Sequence, residues 1–147
     1  MKERWWTTPT EAENGNTVIV TGRDYMDSII AKKKYTSRVT VSWEYNALPS
    51  GMPENSDAAL MGEATDALLK EFNKDKIAYM TGIYTGDGKR DWVFYTSNLN
   101  IFGRIFNRAL EDLEQMPLKI EAESDPEWLE YREMREISYI APDEEEK

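Results

Sequence analysis

The sequence contains neither cysteine nor histidine. Without cysteine there is no disulfide, no thiolate nucleophile and no cysteine-ligated zinc or iron–sulfur site. Without histidine there is no histidine-based triad, no imidazole acid–base group and no histidine-containing metal site. A metal would need all-oxygen ligands, and catalysis would depend on Asp, Glu, Lys, Tyr, Ser or Thr. We therefore assign no catalytic residue, no metal site and no cofactor, and we favour a binding protein over an enzyme.

Long apolar runs are also lacking. No segment approaches the length needed to cross a bilayer, and the start, MKERWWTTPT, has no continuous apolar core of a signal peptide. We therefore expect a cytoplasmic protein with no membrane contact. The chain has 147 residues, of which 40% are hydrophobic and 12% aromatic. This is enough apolar surface for a packed core, and we expect a single domain over residues 1–147.

Positive charge is scarce. The chain carries 18 basic and 28 acidic residues, a net charge of -10, and such a surface repels phosphate backbones. The dense basic run AKKKY at 31–35 is better explained as a solvated turn than as a nucleic-acid site. We expect no direct nucleic-acid binding, whereas a protein partner with a basic surface is compatible with this charge.

Apolar periodicity predicts the order of the elements. Strands are predicted at 16–25, 38–47, 76–85, 91–97 and 118–124, and amphipathic helices at about 55–73, from Asn98 to before Pro117, and at 125–137. From residue 38 the order is βαββαβ, which predicts an α+β, ferredoxin-like sandwich with two helices on one face of an antiparallel sheet. The predicted parts are N-terminal extension strands over 1–37, a core over 38–124, and a C-terminal helix with an acidic tail over 125–147.

The segment TGDGKRD at 85–91 raises the question of a phosphate-binding loop. Such a loop needs glycines that lead from a strand into a helix N-terminus. Here Gly86 and Gly88 lead from one strand into another, and they supply the positive-φ positions of a short hairpin. The segment is therefore predicted to be a turn.

The candidate site lies on the sheet face opposite the two helices. Glu44 and Ser42 are on the more polar side of one predicted central strand, and Arg90 and Asp91 lie where the hairpin enters the other. With an aromatic side chain, Trp92 or Tyr95, they would form a binding surface. The alternative is that the N-terminal strands fold over this face and that Glu44 pairs with Arg90 or Arg38. The predicted binding residues are Ser42, Glu44, Arg90, Asp91, Trp92 and Tyr95.

The last predicted strand alternates acidic residues. Glu121, Glu123 and Asp125 lack the spaced loop and the glycine of a calcium motif. A solvated edge that discourages strand-to-strand association explains them better, although an exposed edge at 118–124 leaves both a monomer and a dimer open.

Four segments together resemble a known family: WEYNALPSGMP, MTGIYTGDGKRDWVFYTS, FNRALEDL and DPEWLEY. They are similar to the bacterial domain-of-unknown-function family 695, from about Trp5 to Met134. That family is uncharacterised, so the resemblance implies no catalytic residues. The order of elements is also distantly similar to the regulator B of ribonuclease E activity, and this similarity implies an acidic ferredoxin-like inhibitor that acts by binding its enzyme.

These observations favour a small cytoplasmic binding or regulatory module that acts through contacts with another protein. Two alternatives remain from the residues alone. One is a hydrolase that uses carboxylates and a tyrosine, with or without an oxygen-ligated metal. The other is a small-molecule binding module that uses the aromatic-lined sheet face.

Overall fold

A computed structural model describes residues 3–142 of the chain. These residues form six strands and four helices, so the predicted α+β class is confirmed. Residues 143–147 of the predicted acidic tail lie outside the described residues. In chain order the elements are β1 (Trp5–Glu11), β2 (Thr17–Arg23), α1 (Asp27–Ala31), β3 (Ser37–Glu44), α2 (Asn55–Lys74), β4 (Ala78–Gly86), β5 (Lys89–Thr96), α3 (Leu99–Leu110), β6 (Leu118–Ser124) and α4 (Leu129–Ser138).

All six strands belong to one antiparallel sheet in the order β1-β2-β4-β5-β3-β6. The alternative that the N-terminal strands fold over the face of the candidate site is wrong: β2 pairs with β4 and, with β1, extends the sheet sideways. The predicted ferredoxin-like arrangement is not confirmed, because that arrangement leaves the strand after its first helix at an edge. Here β4 lies inside the sheet, and the order of the six strands is not ferredoxin-like.

The two long helices pack on one face of the sheet, as predicted. In α2 the buried residues recur at helical spacing and meet alternate side chains of β3 and β5. Asn98 caps α3, since its side-chain oxygen accepts a hydrogen bond from the backbone N–H of Ile101 at 3.0 Å. The core of this face contains Val41, Met61, Leu68, Trp92, Phe94 and Phe102.

The other face is covered in part by α1 and α4, which bury a second apolar cluster. The helix predicted at 125–137 begins later than expected: α4 starts at Leu129, because Trp128 has a left-handed backbone with φ 56°. The C-terminal end of α4 contacts the N-terminal strand β1. The indole N–H of Trp6 donates to the Ser138 hydroxyl at 3.0 Å, and the Thr8 hydroxyl donates to the Ser138 carbonyl at 2.7 Å.

The predicted hairpin turn between β4 and β5 is confirmed, and it has two central residues. Asp87 and Gly88 have positive φ values of 54° and 81°, and Gly86 pairs directly with Lys89. Both conditions describe a type I′ turn, which matches the twist of the strands it joins. Within residues 3–142, no helix combines the length and the apolar character that crossing a membrane requires.

Candidate functional site

Two adjoining depressions lie on the second face of the sheet, where α1 and α4 leave it uncovered. The larger has a volume of about 420 Å³, within the range of small-ligand sites. We call it the cleft and define it by Val18, Thr40, Tyr84, Lys89, Asp91 and Glu130. The smaller has a volume of about 230 Å³ and continues toward β6 along Ser42, Glu44, Lys119, Glu121 and Glu123. The two depressions share Arg38, Thr40, Lys89 and Asp91, and together we call them the polar trough.

Strand register brings these residues to one face. Side chains of a strand point alternately to opposite faces, and directly paired residues share a face. Ser42 of β3 pairs with Asp91 of β5 on one side and with Lys119 of β6 on the other. Asp91 pairs in turn with Tyr84 of β4. The trough therefore crosses these four strands, and Val18 of β2 extends it to a fifth.

The trough has an excess of negative charge. Three cationic side chains line it: Arg38, Lys89 and Lys119. Six carboxyl groups line it: Glu44, Asp87, Asp91, Glu121, Glu123 and Glu130. Acidic side chains therefore outnumber basic ones by two to one, and the trough has the sign of charge that attracts a cationic partner.

Asp91 is held in position at the centre of the trough. The Ser42 hydroxyl donates to its Oδ1 at 2.6 Å, and Lys89 Nζ lies 3.5 Å from its Oδ2. The Asp91 side chain is only 18% exposed. The polar groups are thus arranged by neighbouring strands before any partner arrives, which lowers the entropic cost of binding.

One end of the trough is bounded by a buried ionic cluster around Asp125. Its Oδ2 accepts hydrogen bonds from Arg38 at 2.9 Å and from the Tyr95 hydroxyl at 2.7 Å, and the backbone N–H of Leu129 donates to its Oδ1 at 2.9 Å. Burial alone would raise the pKa of Asp125, but these hydrogen bonds outweigh it and lower the pKa below its usual value. The cluster fixes the first turn of α4 over the sheet.

Glu130, in that first turn, faces the cleft with an incompletely paired carboxyl group. Its Oε2 accepts a hydrogen bond from the Tyr84 hydroxyl. Its Oε1 is buried and has no hydrogen-bond partner among the described residues. Burial raises the pKa of Glu130, and the hydrogen bond from Tyr84 offsets only part of that effect.

Stability should therefore depend on pH through Glu130. A carboxyl group whose folded-state pKa is raised stabilises the fold below its unfolded pKa of about 4.3, and this contribution is lost as pH rises through the folded pKa. We expect Glu130→Gln to gain stability relative to the wild type as pH rises over that interval. Urea unfolding at a series of pH values measures the difference. Glu136→Gln, at an exposed position of α4, is the control, and equal pH slopes for Glu130→Gln and the wild type would contradict the expectation.

The predicted site residues are divided between the two faces. Ser42, Glu44 and Asp91 line the trough. Tyr95 points to the same face but is fully buried, stacked on Trp128 with ring centroids 4.0 Å apart.

Arg90 and Trp92 lie on the opposite, helix-covered face. The indole N–H of Trp92 donates to Thr65 of α2 at 2.8 Å, and the Arg90 guanidinium lies over the Trp92 ring. The alternative pairing of Glu44 with Arg90 is therefore wrong, because the two side chains are on different faces. Glu44 does not pair with Arg38 either, since Arg38 forms ion pairs with Asp125 and Glu123.

Several residues of the trough were not predicted as site residues. Arg38 and Thr40 have a sequence signal, because they continue the alternation of Ser42 and Glu44 along β3. Tyr84 and Glu130 have none, since their contact joins a strand to a helix 46 residues further on.

A metal site finds no support in this region. Nowhere in the described part of the chain do three or more Asp or Glu side chains converge so that they could hold a metal ion. The carboxylates of the trough are instead separated by strand spacing or paired with cations.

Comparison with known proteins gives a family but no activity. No curated protein and no solved structure matches the chain. The similarity to regulator B of ribonuclease E activity stays a prediction. The model of one family matches residues 4–134, nearly the whole chain, and its description is a family of unknown function. The chain therefore belongs to the family of unknown function DUF695.

Proposed function

We propose that this protein is a binding module that recognises a basic segment of a partner protein through the polar trough, and that it regulates the partner by occupying that segment. The observation that carries the proposal is the excess of carboxyl groups on the uncovered part of a sheet face. The net charge of -10 on the whole chain also attracts a cationic partner, and it acts over a longer distance than the trough alone.

The rigidity of the trough supports this role. Most of its side chains are on paired strands, where backbone hydrogen bonds limit motion, and Asp91 and Arg38 are already held by neighbouring groups. Electrostatic complementarity of this kind contributes to specificity and to the association rate more than to affinity. A regulator that must find one partner among many proteins benefits from both.

We further propose that β6, β3, β5 and β4, with α2 and α3, form a ferredoxin-like unit to which β1 and β2 are an addition. The adjacency of these four strands within the sheet supports this interpretation. The addition leaves the trough accessible, because β1 and β2 lie beside β4 in the plane of the sheet. This proposal is compatible with the distant similarity to regulator B of ribonuclease E activity.

Site-specific photocrosslinking tests the binding function. A photoreactive amino acid replaces exposed Glu44 in the trough, and a matched control replaces exposed Asp66 on α2, across the sheet. In a lysate of the source cell at physiological salt, we expect the Glu44 position to form a defined adduct with one protein that has a basic segment. The Asp66 position should not form it.

Charge reversal in the trough gives a second readout of the same experiment. Glu121→Lys with Glu123→Lys changes the charge of the trough by four units, and we expect it to abolish the adduct at position 44. Identical adducts at positions 44 and 66, or an adduct that survives the charge reversal, would contradict the proposed function.

A further inference from the structure

The cleft combines an apolar floor with a polar wall. Val18, Val93 and the ring of Tyr84 form the floor, and Glu130 of α4 stands at the wall. A ligand that fits this arrangement has a narrow apolar body and one polar head. Small-ligand sites are built in this way, with apolar lining for affinity and a few placed polar groups for orientation.

The charges around the cleft are not equally available to a ligand. Four charged groups already have partners in the protein: Arg38 pairs with Asp125, Lys89 and Asp91 pair with each other, and Asp87 accepts from Asn16. Glu130 differs, because its Oε1 has no hydrogen-bond partner within residues 3–142 and no contact with solvent. A buried acceptor in this condition is costly for the unliganded protein and is relieved by a donor.

The unpaired oxygen can be presented to the cleft without a change in the backbone. The terminal torsion of a glutamate side chain is broad and roughly two-fold, so the carboxylate can adjust to a donor in the cleft by side-chain rotation alone. In the structure Tyr84 occupies Oε2, and Oε1 is the oxygen that lacks a donor. One oxygen, and not two, is therefore available to a ligand.

This single acceptor selects between the two basic side chains. A guanidinium presents a planar fork that is best matched by both oxygens of a carboxylate, whereas an ammonium is a compact point charge that one oxygen satisfies. The four-carbon stem of lysine also covers apolar surface while its head stays polar. Both features favour lysine over arginine.

We propose that the cleft binds one lysine side chain of the partner, with its stem along Val18, Tyr84 and Val93 and its primary ammonium on the carboxylate of Glu130. This inference rests on the proposed function and names the anchor of the bound segment. The rest of the polar trough then contacts residues on either side of that lysine.

Binding of an ammonium at Glu130 is linked to a proton. A cation pairs with the ionised carboxylate, and burial raises the pKa of Glu130. Affinity should therefore increase as pH rises through that pKa and level off above it. The charged and titratable groups that act on Glu130 or on Tyr84 beside it are Arg38, Asp91, Tyr95, Asp125 and Glu133.

The test uses Nα-acetyl-lysine methylamide as the probe, titrated into the full chain and followed by backbone amide shifts in NMR. We expect saturable shifts at Tyr84 and Glu130, with an affinity that increases with pH. Glu130→Gln should weaken binding by about tenfold or more, which is about 1.4 kcal/mol, and should remove the pH dependence. Glu121→Gln, in the adjoining depression, is the matched control and should change the affinity less than about twofold.

Two analogues of the probe make the result specific. The Nε-acetylated form has the same stem but no positive charge. The arginine analogue is charged, but its charge is spread over a planar guanidinium instead of a compact ammonium. Both should bind at least about tenfold more weakly than the lysine probe. Equal binding of the acetylated form, or an unchanged affinity in Glu130→Gln, would overturn the inference. If the lysine probe fails to bind while the Glu44 crosslink forms, the anchor is wrong and the binding module stands; lysine binding without a crosslink supports the anchor alone.

Discussion

Replacing Asp125 with alanine is expected to lower the free energy of unfolding by about 3–5 kcal/mol, the usual effect of removing one partner from a buried ion pair. The carboxylate is 5% exposed and connects three elements. It accepts hydrogen bonds from Arg38 of β3, from Tyr95 of β5, and from the backbone N–H groups of Leu129 and Glu130 in α4. Alanine leaves the buried Tyr95 phenol without its acceptor, leaves Arg38 with the exposed Glu123 as its remaining ion-pair partner, and removes the cap of the helix.

Chemical denaturation of the wild type, Asp125→Ala and Glu123→Gln measures this effect. Glu123 is the matched control, because it also pairs with Arg38 but is 64% exposed, and its loss should cost less than about 1 kcal/mol. The pKa of Asp125 is lowered in the folded state, so its stabilisation is present above the unfolded pKa of about 3.9 and is lost as pH falls through the folded value. A difference between Asp125→Ala and the wild type that does not shrink in acid would contradict this account.

Gly86→Ala is the second substitution with a large expected effect, a loss of about 3 kcal/mol or more. Gly86 has φ 150°, a conformation that only glycine adopts without strain. A Cβ at this position would lie 2.3 Å from the Thr17 carbonyl oxygen and 2.8 Å from the Val18 Cα. Both atoms belong to the backbone of β2, so the clash is relieved only if two paired strands separate.

Two other glycines provide the controls for Gly86→Ala. Gly88 also has positive φ, but its Cβ would meet only the Ala47 side chain at 4.0 Å, so Gly88→Ala should cost about 1–2 kcal/mol from strain alone. Gly62 lies in α2 with open space around it, and Gly62→Ala should stabilise by about 0.4–1 kcal/mol. Thermal melting ranks the three variants. Equal losses for Gly86→Ala and Gly88→Ala would show that close packing against β2 is not the cause.

The strands and the long helices were predictable from the sequence because their signals are local. Alternation along 38–47 and the helical stripe at 55–73 depend on neighbours a few residues apart. The turn at Asp87–Gly88 follows from glycine chemistry in the same way. The pairing of β2 with β4 has no such signal, since it joins residues about 65 positions apart. The sequence patterns predicted the N-terminal strands but not their position, which in the structure is beside β4 in the same sheet.

The candidate site was predictable only in part, because face assignment depends on register. Arg90, Asp91 and Trp92 are consecutive, so they cannot share a face of a regular strand. The pairing of Ser42 with Asp91 decides which of them faces the trough, and it assigns Arg90 and Trp92 to the helices. Glu130 was missed for a different reason: its importance comes from an unpaired atom, which no pattern of residue types encodes.

The contact of Trp6 and Thr8 with Ser138 bears on how the chain folds during synthesis. Residues separated by 130 positions or more complete each other's hydrogen bonds, so the N-terminal hairpin cannot reach its final packing until α4 has left the ribosome. Until then the Trp6 indole, which is buried in the folded protein, lacks its contacts with Ser138 and Tyr139. Contacts between residues far apart in sequence slow folding when they form late. They also lengthen the time during which exposed apolar surface can associate with other chains. The final packing of β1 and β2 therefore depends on α4.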